Sequence, residues 1–376
     1  RLLKSSQCDN SAAQPQSSFH KSKPMFCSVP LQNNSAMRSI ILLIGAVLAL
    51  FFNACSPSDK GPDVSNIQLT VTINRFDEAF FALDSMQAAK SLLQLQSKYS
   101  GFYGDYMNYI LGVNGNPADS STLKATTSFI NAYRSIYDSI QPLFENTSEL
   151  EKELKKAYQY LAYYFPTYNP GNIWFFIGPF DAPGVAMVKD GVAVGLQQFA
   201  GQNFFAYQTP AIQNLYPNYL SRRFALSYIV PNVIKAISED LFPDKSAERP
   251  LLEQMIEKGK YWYLAKLLLP STSDSLLTGF TKAQLDWCNE NEGQVWSHLI
   301  RTEELQTLNP VLIQNYIGEA PFTQGLSQEY SPGNIGQWIG WRIVKTFAEK
   351  NSSLSPTAIM NTPAAEILEK AKYKPR

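Results

Sequence analysis

Residues 219–242 read YLSRRFALSYIVPNVIKAISEDLF, and the spacing of their apolar positions decides what the chain is built from. Leu226, Ile229, Val230, Val233, Ile234, Ile237 and Leu241 recur three and four residues apart, which puts them on one face of an amphipathic helix. The flank of that helix carries Pro231, Asn232 and Lys235. A proline inside a helix removes a backbone hydrogen bond and crowds the carbonyl four residues back, here that of Ser227. The cost is about 3 kcal/mol, so the spacing predicts a bend at Pro231.

Upstream of this helix the pattern changes period. NIWFFIGPF (172–180) is a compact aromatic and β-branched run, and VAMVKDGVAVG (185–195) places Lys189-Asp190-Gly191 between two apolar segments, the signature of a β-hairpin. IQLTVTI (67–73) alternates like a half-buried strand. Helical spacing occupies 88–111 and 121–163, interrupted at Pro142, and returns downstream in 250–269, 281–308, 334–350 and 364–371. Strand, helices, sheet, then helices, without βαβ alternation, predict an α+β fold. The expectation is one mostly helical domain over 67–376 with a small antiparallel sheet.

The first 66 residues read differently. Residues 1–36 are rich in Ser, Gln and Asn and read as an upstream extension. Met37 opens MRSIILLIGAVLALFFNACSPSDKGPD, with a basic Arg38, an apolar run over 40–52 and Ala54-Cys55. The run falls short of the roughly 20 residues that span a bilayer, so 37–54 reads as a secretory signal. A small residue before Cys55 and polar residues after it resemble a bacterial lipobox, in which the cysteine takes the lipid and becomes the mature N-terminus. Residues 55–66 then form a polar tether.

Cleavage at Cys55 changes the composition that matters. Of 32 basic and 32 acidic residues, five basic and one acidic precede Cys55, leaving 27 against 31, a net charge of −4. That balance does not favour nucleic acid. Cys8 and Cys27 lie upstream, so Cys288 is left without a disulfide partner, and His298 is the remaining histidine. A nucleophile–base pair would have to use His298 with Ser297 and Glu303, but neighbours on a helix do not face one another. Asp286, Glu290 and Glu292 are read as solvated acids. Gly333, Gly336 and Gly340 are not followed by Lys-Ser/Thr, and among Trp338, Ile339 and Trp341 they read as a helix packed closely on a neighbour rather than a phosphate loop. Arg222 and Arg223 are candidate contacts for an anion or a partner's carboxylate.

YLSRRFALSYIVPNVIKAISEDLFP (219–243), LLEQMIEKGKYWYL (251–264), LDWCNENEGQVW (285–296), APFTQG (320–325) and SPGNIGQWIGWRIV (331–344) resemble the gliding-motility lipoprotein GldB family of Bacteroidetes. The order of these elements is also similar to that of predicted zinc-dependent peptidases with a zincin-like scaffold. In those, H-E-x-x-H presents two imidazoles one helical turn apart, and its Glu activates the metal-bound water. On this sequence the motif falls on Pro231, Asn232, Val233, Ile234 and Lys235, and the third ligand falls on or beside Lys258. The resemblance therefore implies degenerate metal-site positions at Pro231, Asn232, Lys235 and Lys258, with no catalytic residue, no metal and no cofactor. It implies a non-catalytic envelope protein, bound to a membrane facing the periplasm through lipid on Cys55 and acting on other envelope or gliding-machinery proteins. The alternatives are a residual metal-dependent peptidase, or a module that binds a peptide or glycan without turnover. Cys55→Ala is expected to leave the protein unacylated and to release it from membranes, which radiolabelled palmitate incorporation and membrane fractionation check.

Overall fold

The computed structural model describes residues 61–302 and 304–375. The expected extension, the signal over 37–54, Cys55 and the first part of the tether lie outside these residues. Four strands form a single sheet, β1 (Ile73–Arg75), β2 (Asn172–Phe176), β3 (Val185–Val188) and β4 (Gly191–Gly195). Helices α1 (Phe76–Phe81), α2 (Ala88–Lys98), α3 (Ser120–Ile140) and α4 (Ser148–Tyr164) separate β1 from β2. After the sheet come α5 (Pro210–Leu215), α6 (Ile229–Leu241), α7 (Leu251–Leu268), α8 (Asp274–Thr278), α9 (Lys282–Glu290), α10 (Glu292–Arg301), α11 (Pro310–Ile317), α12 (Ile335–Lys350), α13 (Pro356–Asn361) and α14 (Ala364–Ala371).

The fold is α+β and mostly helical, as the sequence predicts, but the sheet is mixed rather than antiparallel. Its order is β1-β2-β4-β3, with β1–β2 and β2–β4 parallel and β3–β4 antiparallel. The hairpin does form, around Lys189-Asp190, and Gly191 takes φ +130°, where a Cβ would collide with the backbone of Asn172. The returning strand β4, and not β3, then docks on β2. That choice makes the new pair parallel and leaves β3 at the edge. The first strand pairs only over Ile73–Arg75, and 67–72 run extended without a ladder, with Gln159 Nε2 donating to the Ile67 carbonyl at 2.9 Å. Phe76 and Asp77 are buried at the start of α1, and Arg75 donates to both Asp77 carboxylate oxygens at 2.9 and 2.6 Å.

The stretch over 219–242 is not one bent helix. A short turn at Asn218–Ser221 and a 3-10 turn at Leu226–Tyr228 precede α6. Pro231 is consequently the third residue of α6, where a backbone N–H has no intrahelical acceptor to lose. The proline starts the helix instead of bending it. Leu226, expected on the core face, is 40% exposed, while Ile229, Val230, Val233, Ile234 and Ile237 are buried against the sheet.

Two hydrophobic clusters hold most of the core of the described residues, one around the sheet, α1–α4 and α6, the other around α9–α14. Helix α7 belongs to both. Leu251, Leu252, Met255, Ile256 and Trp262 enter the second cluster, and Tyr261, Leu264, Ala265 and Leu268 enter the first. Half-exposed Glu253, Gln254, Glu257 and Lys258 form a polar stripe over the first half of α7 only, and the second half packs on several sides, so the whole helix shows little amphipathic period. It crosses α12 at two glycines. A Cβ on Gly259 would overlap the backbone of Gly340 and Trp341, and one on Gly340 would overlap the Met255 carbonyl. Each glycine costs about 1 kcal/mol of helix propensity relative to Ala. The close approach offsets it by burying Met255, Ile256, Ile339 and Ile343, each contributing about 1.5–3 kcal/mol. Gly340→Ala is therefore expected to lose about 2 kcal/mol or more of unfolding free energy in urea titration, whereas Gly104→Ala, with no atom within 4 Å of the new methyl, leaves it unchanged.

Candidate functional site

Because the apolar face of α6 is turned to the sheet, its other face forms the floor of a cleft of about 350 Å³. Pro231, Asn232, Lys235, Ala236 and Glu239 line that floor, Tyr261, Trp262 and Ala265 of α7 form one wall, and Gly184 and Val185 stand at the start of edge strand β3. The remaining wall is made of loops, with Arg223 and Phe224 before α6, Thr278 and Gly279 after α8, and Glu319, Asn334 and Gln337 around α12.

The charges in the cleft fall into two groups. Arg223 and Glu319 make a two-point ion pair at 3.1 and 3.0 Å. Asn334 joins it, with Nδ2 donating to Glu319 Oε1 at 3.5 Å from a left-handed backbone (φ 45°) that asparagine tolerates better than most residues. Lys235 and Glu239, one turn apart on α6, are exposed and have no ion-pair partner among the described residues. The Asn232 amide likewise has no hydrogen-bond partner among them.

The structure brings together three of the four positions that the peptidase resemblance singles out. Pro231, Asn232 and Lys235 share the cleft floor, and Lys258 does not reach it. Lys258 shares its side of α7 with Tyr261, Trp262 and Ala265 but stands one turn before them, where its ammonium pairs with Asp244 at 2.7 Å. Arg222 and Arg223 also part company. Arg222 Nη2 donates to the Gly279 carbonyl at 2.5 Å, and burial pulls its guanidinium below the ordinary arginine value, so it ties the wall loops together. Only Arg223 lines the cleft, and its charge is met by Glu319.

The donor set does not suit zinc. Proline has no side-chain donor atom, lysine presents a cation, and among the described residues no three of His, Cys, Asp and Glu gather around one point. His298 stands outside the cleft, its ring against Gly325. Glu292, one of the acids in LDWCNENE, accepts from Arg342 at 2.9 and 3.0 Å and from Tyr373 at 2.6 Å, locking α10 to α12 and the C-terminal segment. Glu319, Asn334 and Gln337 carry no catalytic pattern in the sequence. Asn334 and Gln337 lie within SPGNIGQW, where the glycines draw the attention.

The sequence model of one protein family, described as Gliding motility protein GldB, matches residues 57–375. The chain belongs to the GldB family. No curated protein and no solved structure matches it. The family match begins just after Cys55 and takes in the whole cleft of this GldB-family chain. No described helix is long and apolar enough to cross a membrane.

Lys258 gives a test of its structural role. Burial raises the Asp244 carboxyl, but hydrogen bonds from Lys258 and Ser246 and the Lys258 charge outweigh it and hold Asp244 below the ordinary carboxylate value. A carboxylate depressed in the folded state contributes stability above its unfolded pKa of about 4, and that contribution is lost as pH falls through the folded value. Lys258→Met is expected to make the loss of stability below about pH 4 less steep, measured as melting temperature against pH, and to leave the cleft unaltered.

Proposed function

We propose that this GldB-family chain is a non-catalytic lipoprotein of the gliding apparatus, held at a periplasm-facing membrane by lipid on Cys55, and that the cleft over α6 is a surface for contact with other envelope proteins. The observation that carries this reading is the cleft floor. A proline, an asparagine amide and an ammonium stand where a hydrolytic site of this layout needs metal ligands and a base, so these positions can bind but supply neither the ligand set nor the base of that motif. The likeness to zincin-like peptidases then concerns the arrangement of helix, hairpin and cleft, with the chemistry gone.

Binding remains well served. The cleft is concave, combines aromatic walls with unpaired Lys235 and Glu239, and sits on a helix fixed by five buried aliphatic side chains. Replacing the chromosomal gene in its host by one encoding Asn232→Ala and Lys235→Glu is expected to abolish colony spreading at unchanged protein level. The purified full-length lipoprotein is expected to leave labelled casein intact with or without added zinc. Zinc-dependent hydrolysis lost on Asn232→Ala would overturn the non-catalytic reading, and wild-type spreading by the double variant would remove the cleft from the contact surface.

A further inference from the structure

Edge strand β3 has its hydrogen-bonding parity fixed by one contact, the Gly195 amide donating to the Gly184 carbonyl at 2.8 Å. In the antiparallel register Val185↔Val194 to Val188↔Gly191, the residues that pair with β4 are therefore Gly184, Ala186 and Val188. The N–H and C=O groups of Val185 and Met187 point the other way. They find no backbone or side-chain partner among the described residues, and β3 is the last strand of the sheet. Edge strands are commonly protected by a charge, a proline or a bulge. Val185-Ala186-Met187-Val188 has none of these and is only half-buried.

What flanks this edge is as informative as the edge. Val185 lines the α6 cleft on one face of the sheet. Side chains alternate along a strand, so Ala186 and Val188 point to the other face, and there they line a second, mainly apolar groove of about 880 Å³ with Tyr106, Tyr109, Ile110 and Pro183, which Met187, Asp105, Asp181 and Lys189 also border. Tyr109 is 77% exposed beside it. A strand added at the β3 edge would send alternate side chains into the apolar groove and toward the α6 cleft. On the cleft side it would meet Lys235 and Glu239. Those two residues are about 6 Å apart along the helix axis, close to the roughly 6.6 Å between side chains on the same face of a strand. Successive cleft-facing side chains of such a strand would meet an ammonium and a carboxylate, which an acidic and a basic residue two positions apart match.

We propose that the β3 edge takes up an extended segment of a partner protein by strand addition, and that the segment alternates apolar with charged residues, the apolar ones entering the groove beside Tyr109, an acidic one meeting Lys235 and a basic one two positions away meeting Glu239. This rests on the reading of the cleft as a contact surface and specifies how contact is made: backbone groups of Val185 and Met187 supply the register, and the two cavities supply selectivity.

The test uses the full-length lipoprotein in detergent micelles and fluorescein-labelled octapeptides in which valine alternates with glutamate and lysine in turn, or with glutamate alone. Fluorescence polarisation is expected to show the mixed-charge peptide binding at least tenfold more tightly than the all-glutamate peptide, with the preference reversed by Glu239→Lys. N-methylation of alternate amides on the docking edge of the mixed-charge peptide is expected to abolish its binding to the unaltered protein. Met187→Pro removes an outward N–H without touching the β3–β4 ladder and is expected to weaken binding at least tenfold. Equal binding of both peptides, indifference to N-methylation, or no binding at millimolar peptide would overturn the proposal. So would a dimer that Met187→Pro dissolves, since the occupant would then be a second copy. Should the peptides fail while Lys235→Glu still abolishes spreading, strand addition is refuted and the contact role stands; peptide binding with unaffected spreading refutes the contact role alone.

Discussion

Helices α7 and α12 meet backbone to backbone, and most of the architecture follows from that crossing. Without a Cβ at Gly259 or Gly340 the two helices come closer than any larger residue would allow. The packing fixes α7 at the middle of the domain. From there it joins the C-terminal helical cluster to the cluster that holds the sheet, and it turns Tyr261, Trp262 and Ala265 toward α6. The cleft is thus bounded by a wall whose position is set some distance away, by two residues with no side chain. Loss of either glycine would displace the wall as well as weaken the core.

The cleft itself is a composite. Its floor comes from α6, one wall from α7, and the opposite wall from three loops that are far apart in the chain. The loops are gathered by polar contacts, Arg222 to the Gly279 carbonyl and Arg223 to Glu319, with Asn334 in a backbone conformation most residues avoid. Apolar packing fixes one side, and charge-assisted hydrogen bonds, each individually modest when partly exposed, fix the other.

Much of this was readable from local pattern. The buried face of α6, the Asp-Gly hairpin, the helix pairs around Pro142 and the close-packing role of Gly336 and Gly340 all follow from spacing over a few residues, and the structure has them. The features that sequence reading missed depend on partners far away. A hairpin signal does not say which of its strands will dock on a neighbour, so the sheet was expected antiparallel and is mixed. Pro231 fits equally a bend inside a long helix and a start of a shorter one, and the choice depends on the turn at Leu226–Tyr228 that precedes it. Lys258 is on the right side of α7 but about one helical turn short of the cleft, where Asp244 takes its ammonium. The centrality of α7 was hidden because its polar stripe covers the first half only and its residues divide between two clusters.

The two walls of the cleft differ in mechanical stiffness. Two helices in backbone contact cannot slide past one another without first separating, so the α7 wall behaves as a fixed jaw. The loop wall is clasped by an ion pair whose arginine and glutamate are both within reach of solvent, and such a clasp loosens with ionic strength. Any widening of the cleft must therefore come from the loop side, hinged away from α6 while the floor and the β3 edge stay still.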